Sequence, residues 1–506
     1  MNKKYMLIIM DGLGMPKDIK RSAVLDENTK NLRSFAKTYA SGTLFASEEY
    51  VGLPSGQAGT SEVGHATIGS GRVTYQPLVK INNDIRNGNF YKNKTLLDAL
   101  IYAKQNGKKV HLVGLASDGG IHSHISHLMA LMEMCHENDI SPYIHFISDG
   151  RDTPPKSVTK YLDEVQEKID ILHCGKLSTL IGRFYAMDRD KNFDRNKLAY
   201  DMWTKSIGKM YDSYTKAVID AYNSGESDEF LTPIVLDGGE GRIEEGDVVI
   251  SYNFRTDRER QLAYIMSQKN DLDFTTDLKL YFVTMTVYDE SFTGIHVVYD
   301  NQKNDNILSE VLSKQGVRQL KVAETEKFAH LTFFFNSGKL DAYDGEERVI
   351  VNSPKMASYA SCPEMKADEI VCEVLKRMKD YDFIAINFAN SDMVGHSGDI
   401  KSSKIAVKKV DESVSKLVNA MLEIGGEGII TADHGNSDIM LYEDGTKCTS
   451  HTTNKVPCII FGERFRGTIL REGGTLADIA PTILNMMGID VPEQMTGKSL
   501  IEKGDK

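Results

Sequence analysis

Short apolar runs recur along the chain, and each ends in a cluster of Gly, Ser, Asp or Arg. They are YMLIIM, KVHLVGLAS, YIHFISDGRD, LSTLIGRFYAM, DVVISYNFRTD, FIAINFANSD and GIITADHGN. A continuous apolar run of this length, closed by turn residues, predicts a strand buried on both faces. Between several of them apolar residues return at three- and four-residue spacing, which predicts helices over Ser126 to Asn138, Val158 to Leu172 and Lys401 to Ile424. Strands alternating with helices imply an α/β fold with largely parallel sheets. In such sheets ligands bind beyond the carboxyl ends of the strands, so the polar residues directly after each run are the candidates for chemistry.

The first run, in MNKKYMLIIMDGLG, ends in Asp-Gly with no small-residue cleavage site and reads as a strand rather than a signal segment. No stretch approaches the roughly 20 apolar residues that cross a bilayer, so no membrane partner is expected. With 506 residues the chain exceeds one ordinary core and predicts two domains, with linkers near Tyr75 to Leu78 and around Asp300 to Asn306. Cys135, Cys174, Cys362, Cys372, Cys448 and Cys458 form no CxxC pair. That scatter predicts reduced thiols in a cytoplasmic protein, without disulfides or a zinc knuckle. A formal net charge of -12 argues against nucleic acid as a partner. It leaves an anionic small molecule open, because a phosphate ester responds to the local field of a few converging cations.

Carboxylates and imidazoles gather at the ends of the runs. Asp392 and His396 stand four apart in NSDMVGHSG, Asp433 and His434 are adjacent in TADHGN, His451 follows in SHTTN, and Asp11 closes the first strand. Oxygen and imidazole donors without thiolate suit Mn²⁺ or Zn²⁺ better than the all-oxygen shells of Mg²⁺ or Ca²⁺, and two manganese ions are the preferred reading. Taken singly, each Asp-Gly or Asp-His pair is an ordinary turn. The segment SDGGIHSHISHL offers His122, His124 and His127 but no partner segment for a zinc site, so His122 is expected at a loop tip facing substrate and the other two in packing. HExxH, Walker A and EF-hand patterns are absent, and GxSxG fails at Val63.

The segment GLPSGQAGTSEVGHATIGSGR is rich in glycine and small polar residues, and Ser61 followed by Glu62 is expected to cap a helix. A phosphate carried there meets free backbone N–H groups and the positive end of the helix dipole. An adjacent metal lowers the hydroxyl pKa and makes the serine a nucleophile.

With these pieces together, the chain closely resembles the cofactor-independent phosphoglycerate mutases of the alkaline phosphatase superfamily. MDGLG, GLPSGQAGTSEVGHATIGSGR, SDGGIHSH, SDGRDTPP, GRFYAMDRDKNFDR, YNFRTDRERQL, AETEKFAHLTFFFN, NFANSDMVGH, TADHGNSD and SHTTNKVP occur in that family's order across nearly the whole chain. The resemblance implies that Asp392, His396 and His451 hold one manganese and that Asp11, Ser61, Asp433 and His434 hold the other, with Ser61 as the phosphoserine. It implies a substrate-binding set of His122, Arg151, Asp152, Arg183, Arg189, Arg255, Arg258 and Lys327. Guanidinium forks suit phosphate and carboxylate, and Arg255 and Arg258, three apart, are expected to share a helical face.

The resemblance further implies a discontinuous phosphatase-like metal-binding domain, residues 1–76 and 303–506, with a transferase domain, 77–302, inserted between. Domain closure is then expected to bring serine and glycerate together. The implied reaction is 3-phosphoglycerate to 2-phosphoglycerate without 2,3-bisphosphoglycerate, by a monomer, with Asp152 assisting proton transfer. The loop YEDGTKCTSHTTN is shorter and less proline-rich than in many relatives, and Cys448 and Cys458 flank His451. Alternatives are a metal-dependent phosphatase or phosphopentomutase, which the motifs of the insert disfavour, and a non-catalytic metal-binding scaffold, which needs no aligned nucleophile.

Overall fold

The apolar runs are strands. The computed structural model describes residues 3–300 and 305–501. In chain order its strands are β1 (Tyr5–Met10), β2 (Ala40–Leu44), β3 (Val110–Leu115), β4 (Tyr143–Ser148), β5 (Lys176–Gly182), β6 (Lys209–Met210), β7 (Ile234–Val235), β8 (Val248–Ser251), β9 (Tyr281–Thr286), β10 (Ile295–Tyr299), β11 (Gln319–Glu324), β12 (Glu346–Val351), β13 (Phe383–Phe388), β14 (Glu427–Thr431) and β15 (Val456–Phe461). The chain divides into two compact units, one formed by Met1–Gln76 with Lys303–Lys506 and the other by Pro77–Gln302. Of the second expected linker, residues 301–304 lie outside the described residues, as does the expected boundary at 302/303.

The first unit is built on a seven-stranded sheet in the order β12-β11-β13-β1-β14-β15-β2. It is parallel from β12 to β14 and antiparallel at β15 and β2. β1 is central, and Met6 to Met10 are buried on both faces, which is why this strand reads as an unbroken apolar run. Pairing sets Ile9 beside Asn387 on one side and Thr431 on the other. Asp11, Asp392 and Asp433 therefore leave neighbouring strands at the same sheet edge, and Lys327 follows β11 there too. The turn after β1 requires glycine: Gly12 has φ +72°, and a Cβ on it would lie 2.7 Å from the Asp392 Cα.

The helix Ile400–Glu423 buries Ala406, Val407, Val410, Val414, Leu417, Val418 and Met421 along one stripe and packs in part on β1. Truncating Leu417 to Ala would cost about 2–5 kcal/mol by leaving a cavity in that seam. Its start is set by Asp399, whose side chain accepts from Ser402 N, one residue earlier than the apolar spacing predicts. The helix expected over Ser126 to Asn138 spans Ile125–Glu137 because the His124 side chain accepts from Ser126 N and caps it. The helix Val158–Leu172 has the predicted bounds.

The second unit carries an eight-stranded sheet, β10-β9-β8-β3-β4-β5-β7-β6, parallel except where β7 runs against β5. Alternation divides its core into two layers. Leu112, Ile144, Phe146 and Ile250 join one cluster, while Val113, Leu115, Ile147 and Val249 join the other. His122 lies after β3, Arg151 and Asp152 after β4, Arg183 after β5 and Arg255 after β8, again at carboxyl ends. All six cysteines are free thiols. Among the described residues no helix is long and apolar enough to cross a membrane.

Candidate active site

Ser61 is the first residue of the helix Ser61–Ser70, not its cap as the sequence predicts. Thr60 takes that role with extended backbone (φ -130°, ψ 158°) and a side-chain oxygen that accepts from Val63 N at 3.3 Å. The cap bond is thus made without Ser61, and its hydroxyl turns to the sheet edge. Ser61 Oγ lies 2.7 Å from Lys327 Nζ, 2.9 Å from His434 Nε2 and 3.2 Å from Asp11 Oδ1. The helix comes this close because residue 64 is glycine: a Cβ there would stand 2.6 Å from the Asp433 carbonyl oxygen. Ser61 keeps the advantage of a helix N-terminus for an attached phosphate.

Asp392, His396 and His451 converge with donor atoms within 4.8 Å of one another. His396 Nδ1 is 2.8 Å from the Thr449 carbonyl and His451 Nδ1 is 2.8 Å from the Gly59 carbonyl. A carbonyl only accepts, so each ring carries a proton on Nδ1, which leaves Nε2 as the atom able to offer a lone pair. These two Nε2 atoms face each other at 3.1 Å, and each lies 3.2 Å from Asp392 Oδ1. Two lone pairs and a carboxylate oxygen pointed at one another repel unless a cation or a proton lies among them, and this donor set fits a transition metal. The second group gathers Asp11, Asp433, His434 and Ser61. His434 Nε2 lies 3.5 Å from both Asp11 Oδ1 and Asp433 Oδ2, and the latter oxygen, though buried, accepts no hydrogen bond.

Lys327 Nζ lies between the two groups, 2.7 Å from Asp11 Oδ1 and 2.5 Å from Asp392 Oδ2. Burial opposes its charge, but Asp11, Asp392 and Asp433 outweigh burial and hold it as ammonium. Burial likewise opposes ionisation of Asp392, yet Lys327, His396 and His451 keep its carboxyl well below the usual range. For His434, burial is overcome by Asp433, Asp11 and Asp392, which raise it to about 9.

In the second unit Arg183 Nη1 is 2.7 Å from Asp149 Oδ1 and 2.6 Å from Asp152 Oδ2. One Asp257 carboxylate holds two arginines, Arg189 Nη1 at 2.8 Å and Arg255 Nε at 2.9 Å. Arg258 donates to the Met187 carbonyl at 2.9 Å, and Arg151 lies 3.8 Å from Glu229. Arg255 and Arg258 do not share a helical face as expected. Arg255 is in the loop after β8, and Arg258 caps the helix Glu259–Ser267. The guanidiniums still converge: burial, then Arg183, Arg189 and Arg151, lower Arg258 from its ordinary value. His122 is buried between Asp152, 4.0 Å from Nε2, and Asp257, 3.9 Å from Nδ1. Burial and Arg183 pull it down to about 4, so it is neutral near pH 7. His124 and His127 are structural, the first as a cap and the second bonded to Asn82 Oδ1 at 2.9 Å.

Several residues of these clusters were not singled out by motif. Asp149 accepts from Ser117 Oγ and from the backbone of Arg151 and Asp152. Asp257 gathers two arginines, Asn436 donates to Asp392 Oδ1 at 2.8 Å, and His65 and Asn387 lie behind Asp11 and Ser61. For His65 a signal existed, its four-residue spacing from Ser61 on a helix.

A family model described as the BPG-independent PGAM N-terminus matches residues 81–290. The 2,3-bisphosphoglycerate-independent phosphoglycerate mutase of Clostridioides difficile (strain 630) is 45% identical, with 99% of this chain and 100% of that protein covered. The protein of the same description from Bacteroides fragilis (strain YCH46) is 43% identical with the same coverage. Among solved structures, Leishmania mexicana phosphoglycerate mutase at low cobalt concentration aligns with a TM-score of 0.53 and 27% identity, covering 99% of this chain and 98% of that one.

Proposed function

The chain belongs to the family of 2,3-bisphosphoglycerate-independent phosphoglycerate mutases, and on that footing we propose that it interconverts 3-phosphoglycerate and 2-phosphoglycerate, in glycolysis and gluconeogenesis, through a phosphoserine at Ser61 beside two manganese ions. Asp392, His396 and His451 would hold one ion, and Asp11, Ser61, Asp433 and His434 the other. When bound, the ions acidify the serine hydroxyl and offset phosphoryl charge.

The residues divide the work. Arg151, Arg183, Arg189, Arg255 and Arg258 bind the phosphate and carboxylate of 3-phosphoglycerate through guanidinium N–H donors, with neutral His122 among them. Ser61 Oγ attacks phosphorus in line, the bond from phosphorus to the 3-oxygen breaks, and the serine proton ends on that oxygen. The Lys327 ammonium stabilises the charge that develops on the way. Glycerate then turns, Asp152 accepts the proton of its 2-hydroxyl, the 2-oxygen takes the phosphoryl group as the bond from phosphorus to Ser61 Oγ breaks, and the proton taken up by Asp152 is returned to balance the one that Ser61 recovers. No bisphosphate is needed, because the phosphoryl group waits on the serine. Water must be kept from it during the turn, or the result is hydrolysis.

The observation that carries this reading is the Ser61 hydroxyl, within 3.2 Å of Lys327, His434 and Asp11 at a helix N-terminus. The test is to incubate manganese-loaded protein with 3-phosphoglycerate, without bisphosphate, and to follow 2-phosphoglycerate and free phosphate together. The expected result is 2-phosphoglycerate with little free phosphate, stopped by chelation and restored by manganese. Strict dependence on 2,3-bisphosphoglycerate, or release of phosphate alone, overturns the proposal.

A further inference from the structure

The proposed chemistry leaves His65 without a role, although it lies inside the serine-side cluster. It is fully buried, one helical turn beyond Ser61. Its Nδ1 is 2.8 Å from the Ser61 carbonyl oxygen and 3.2 Å from Asp433 Oδ2, and its Nε2 is 3.0 Å from Asn387 Nδ2. The same amide nitrogen is 2.8 Å from Asp11 Oδ2.

The hydrogens of this array follow from donor counting. A carboxylate only accepts, so the Asn387 atom facing Asp11 is the NH₂ group. That group only donates, so His65 Nε2 accepts from it and His65 carries its proton on Nδ1, where the Ser61 carbonyl accepts it. Both ring nitrogens are thereby committed. His65 lies within coordination range of Asp11 and Asp433, but it has no free lone pair to offer a cation.

We infer that His65 is a positioning residue: through Asn387 on one side and the Ser61 carbonyl on the other, its ring ties Asp11 to the peptide of Ser61, with Asp433 Oδ2 held 3.2 Å from Nδ1, around the serine-side cation. Asp11 Oδ2 is held from behind by Asn387, which leaves Oδ1 facing Ser61, Lys327 and His434. Nδ1–H fixes the peptide of the nucleophile and stands beside the Asp433 oxygen that accepts no hydrogen bond. Asn387 can serve because β13 pairs with β1 in a register that sets it next to Ile9, two residues before Asp11. Groups that orient ligands in this way typically contribute about 10–100-fold to metal affinity.

The inference rests on the two-cation reading above, and the experiment separates the two. Metal-free full-length protein is titrated with Mn²⁺ by calorimetry, with the two steps assigned from the His451→Ala variant, which removes a donor of the other site. His65→Phe keeps the ring volume and loses both nitrogens, and Asn387→Leu cuts the link to Asp11. Each is expected to weaken the serine-side step by about 10–100-fold while the Asp392, His396, His451 step stays within about 3-fold of wild type, a selectivity that a merely structural role would not produce. His65→Asn, whose amide nitrogen stands near the Nδ1 position, is expected to recover at least about ten-fold of the loss. Melting of the metal-free proteins identifies which variants fold, and the titration of any one that folds decides. Two steps of wild-type affinity in a folded variant, or equal loss in both steps, overturns the role of His65. If wild type itself binds fewer than two ions, it is the two-cation reading that fails.

Discussion

Arg183 and Asp152 meet through a single nitrogen, Nη1, 2.6 Å from Oδ2, and that nitrogen also serves Asp149. The pair is asymmetric in burial: Arg183 is 3% exposed at the side chain and Asp152 23%, so the arginine is enclosed while the carboxylate remains open to solvent. Burial would raise Asp149, but backbone N–H groups, Ser117 and Arg183 hold it below its ordinary value. In Arg183→Lys a single ammonium takes the place of Nη1 beside the two carboxylates, and the other guanidinium nitrogens that could face a phosphate or carboxylate are gone. The variant is expected to lose about 100-fold or more in kcat/KM with a near-normal melting temperature. Steady-state kinetics alongside calorimetric melting checks this, and wild-type kinetics would remove Arg183 from the proposed substrate set.

Ser61→Ala deletes one buried oxygen and leaves the Thr60 cap intact, so the fold is expected to persist. Turnover is expected to fall by at least about 10³-fold, since among the described residues Ser61 is the hydroxyl bonded to Lys327, His434 and Asp11 together. Acid-quenched protein incubated with labelled 3-phosphoglycerate should carry label in wild type and none in the variant. Substantial residual turnover would show that another group carries the phosphate.

Asp257 binds Arg189 and Arg255 with its two oxygens. Asp257→Asn removes one acceptor and the charge, freeing the arginines to point into solvent. KM is expected to rise about ten-fold with a smaller change in kcat, the signature of lost uniform binding. Arg255→Lys should weaken kcat/KM by about 10–100-fold with little effect on stability. Equal KM values in the Asp257 variant and wild type would reduce this contact to an ordinary surface ion pair.

Glu259 is buried beneath the arginine loop, bonded to Asn253 Nδ2 at 2.5 Å and Ser251 Oγ at 3.4 Å. Burial raises it to about 7, helped by Asp257 and opposed by Asn253, Ser251 and Arg183. The folded chain thus holds a proton that the unfolded chain releases near pH 4.5. Its contribution is complete at low pH and is lost as pH rises from about 4.5 to 7. Glu259→Gln has no such proton to lose. The wild type should therefore lose stability relative to Glu259→Gln over that window, by an amount on the order of 3 kcal/mol, read as urea midpoints at several pH values. A pH-independent difference would mean that Glu259 does not titrate there.

Much of the architecture was legible because buried parallel strands leave a strong imprint. β1 and β13 are largely apolar runs and β14 is buried along its whole length, and the aspartates beyond their ends mark the sheet edge where the donors meet. What escaped depends on pairing across long separations. Asn387 is an ordinary polar residue within an apolar run until β13 lies against β1 and turns it toward Asp11. Asp149 and Asp257 sit inside motifs read for their neighbours, and their value appears only when loops from different strands come together. The one-residue error at Ser61 is local. Two adjacent hydroxyl residues can both cap a helix, and backbone geometry chose Thr60. The helical face expected of Arg255 and Arg258 failed because the helix begins only at Glu259.

The central place of β1 also governs how the molecule is made. Asp11 and its partner Asn387 are 376 residues apart, so at ribosomal rates the first strand waits about 20–80 s for the neighbours that cover it. Throughout that interval five apolar residues and two unsatisfied edges of β1 are uncovered, while the intervening unit receives all its strands, β3 to β10, before the chain reaches β13. Both strands that flank β1 come from the last quarter of the sequence, so the opening segment is the part of the first unit that stays uncovered longest during synthesis.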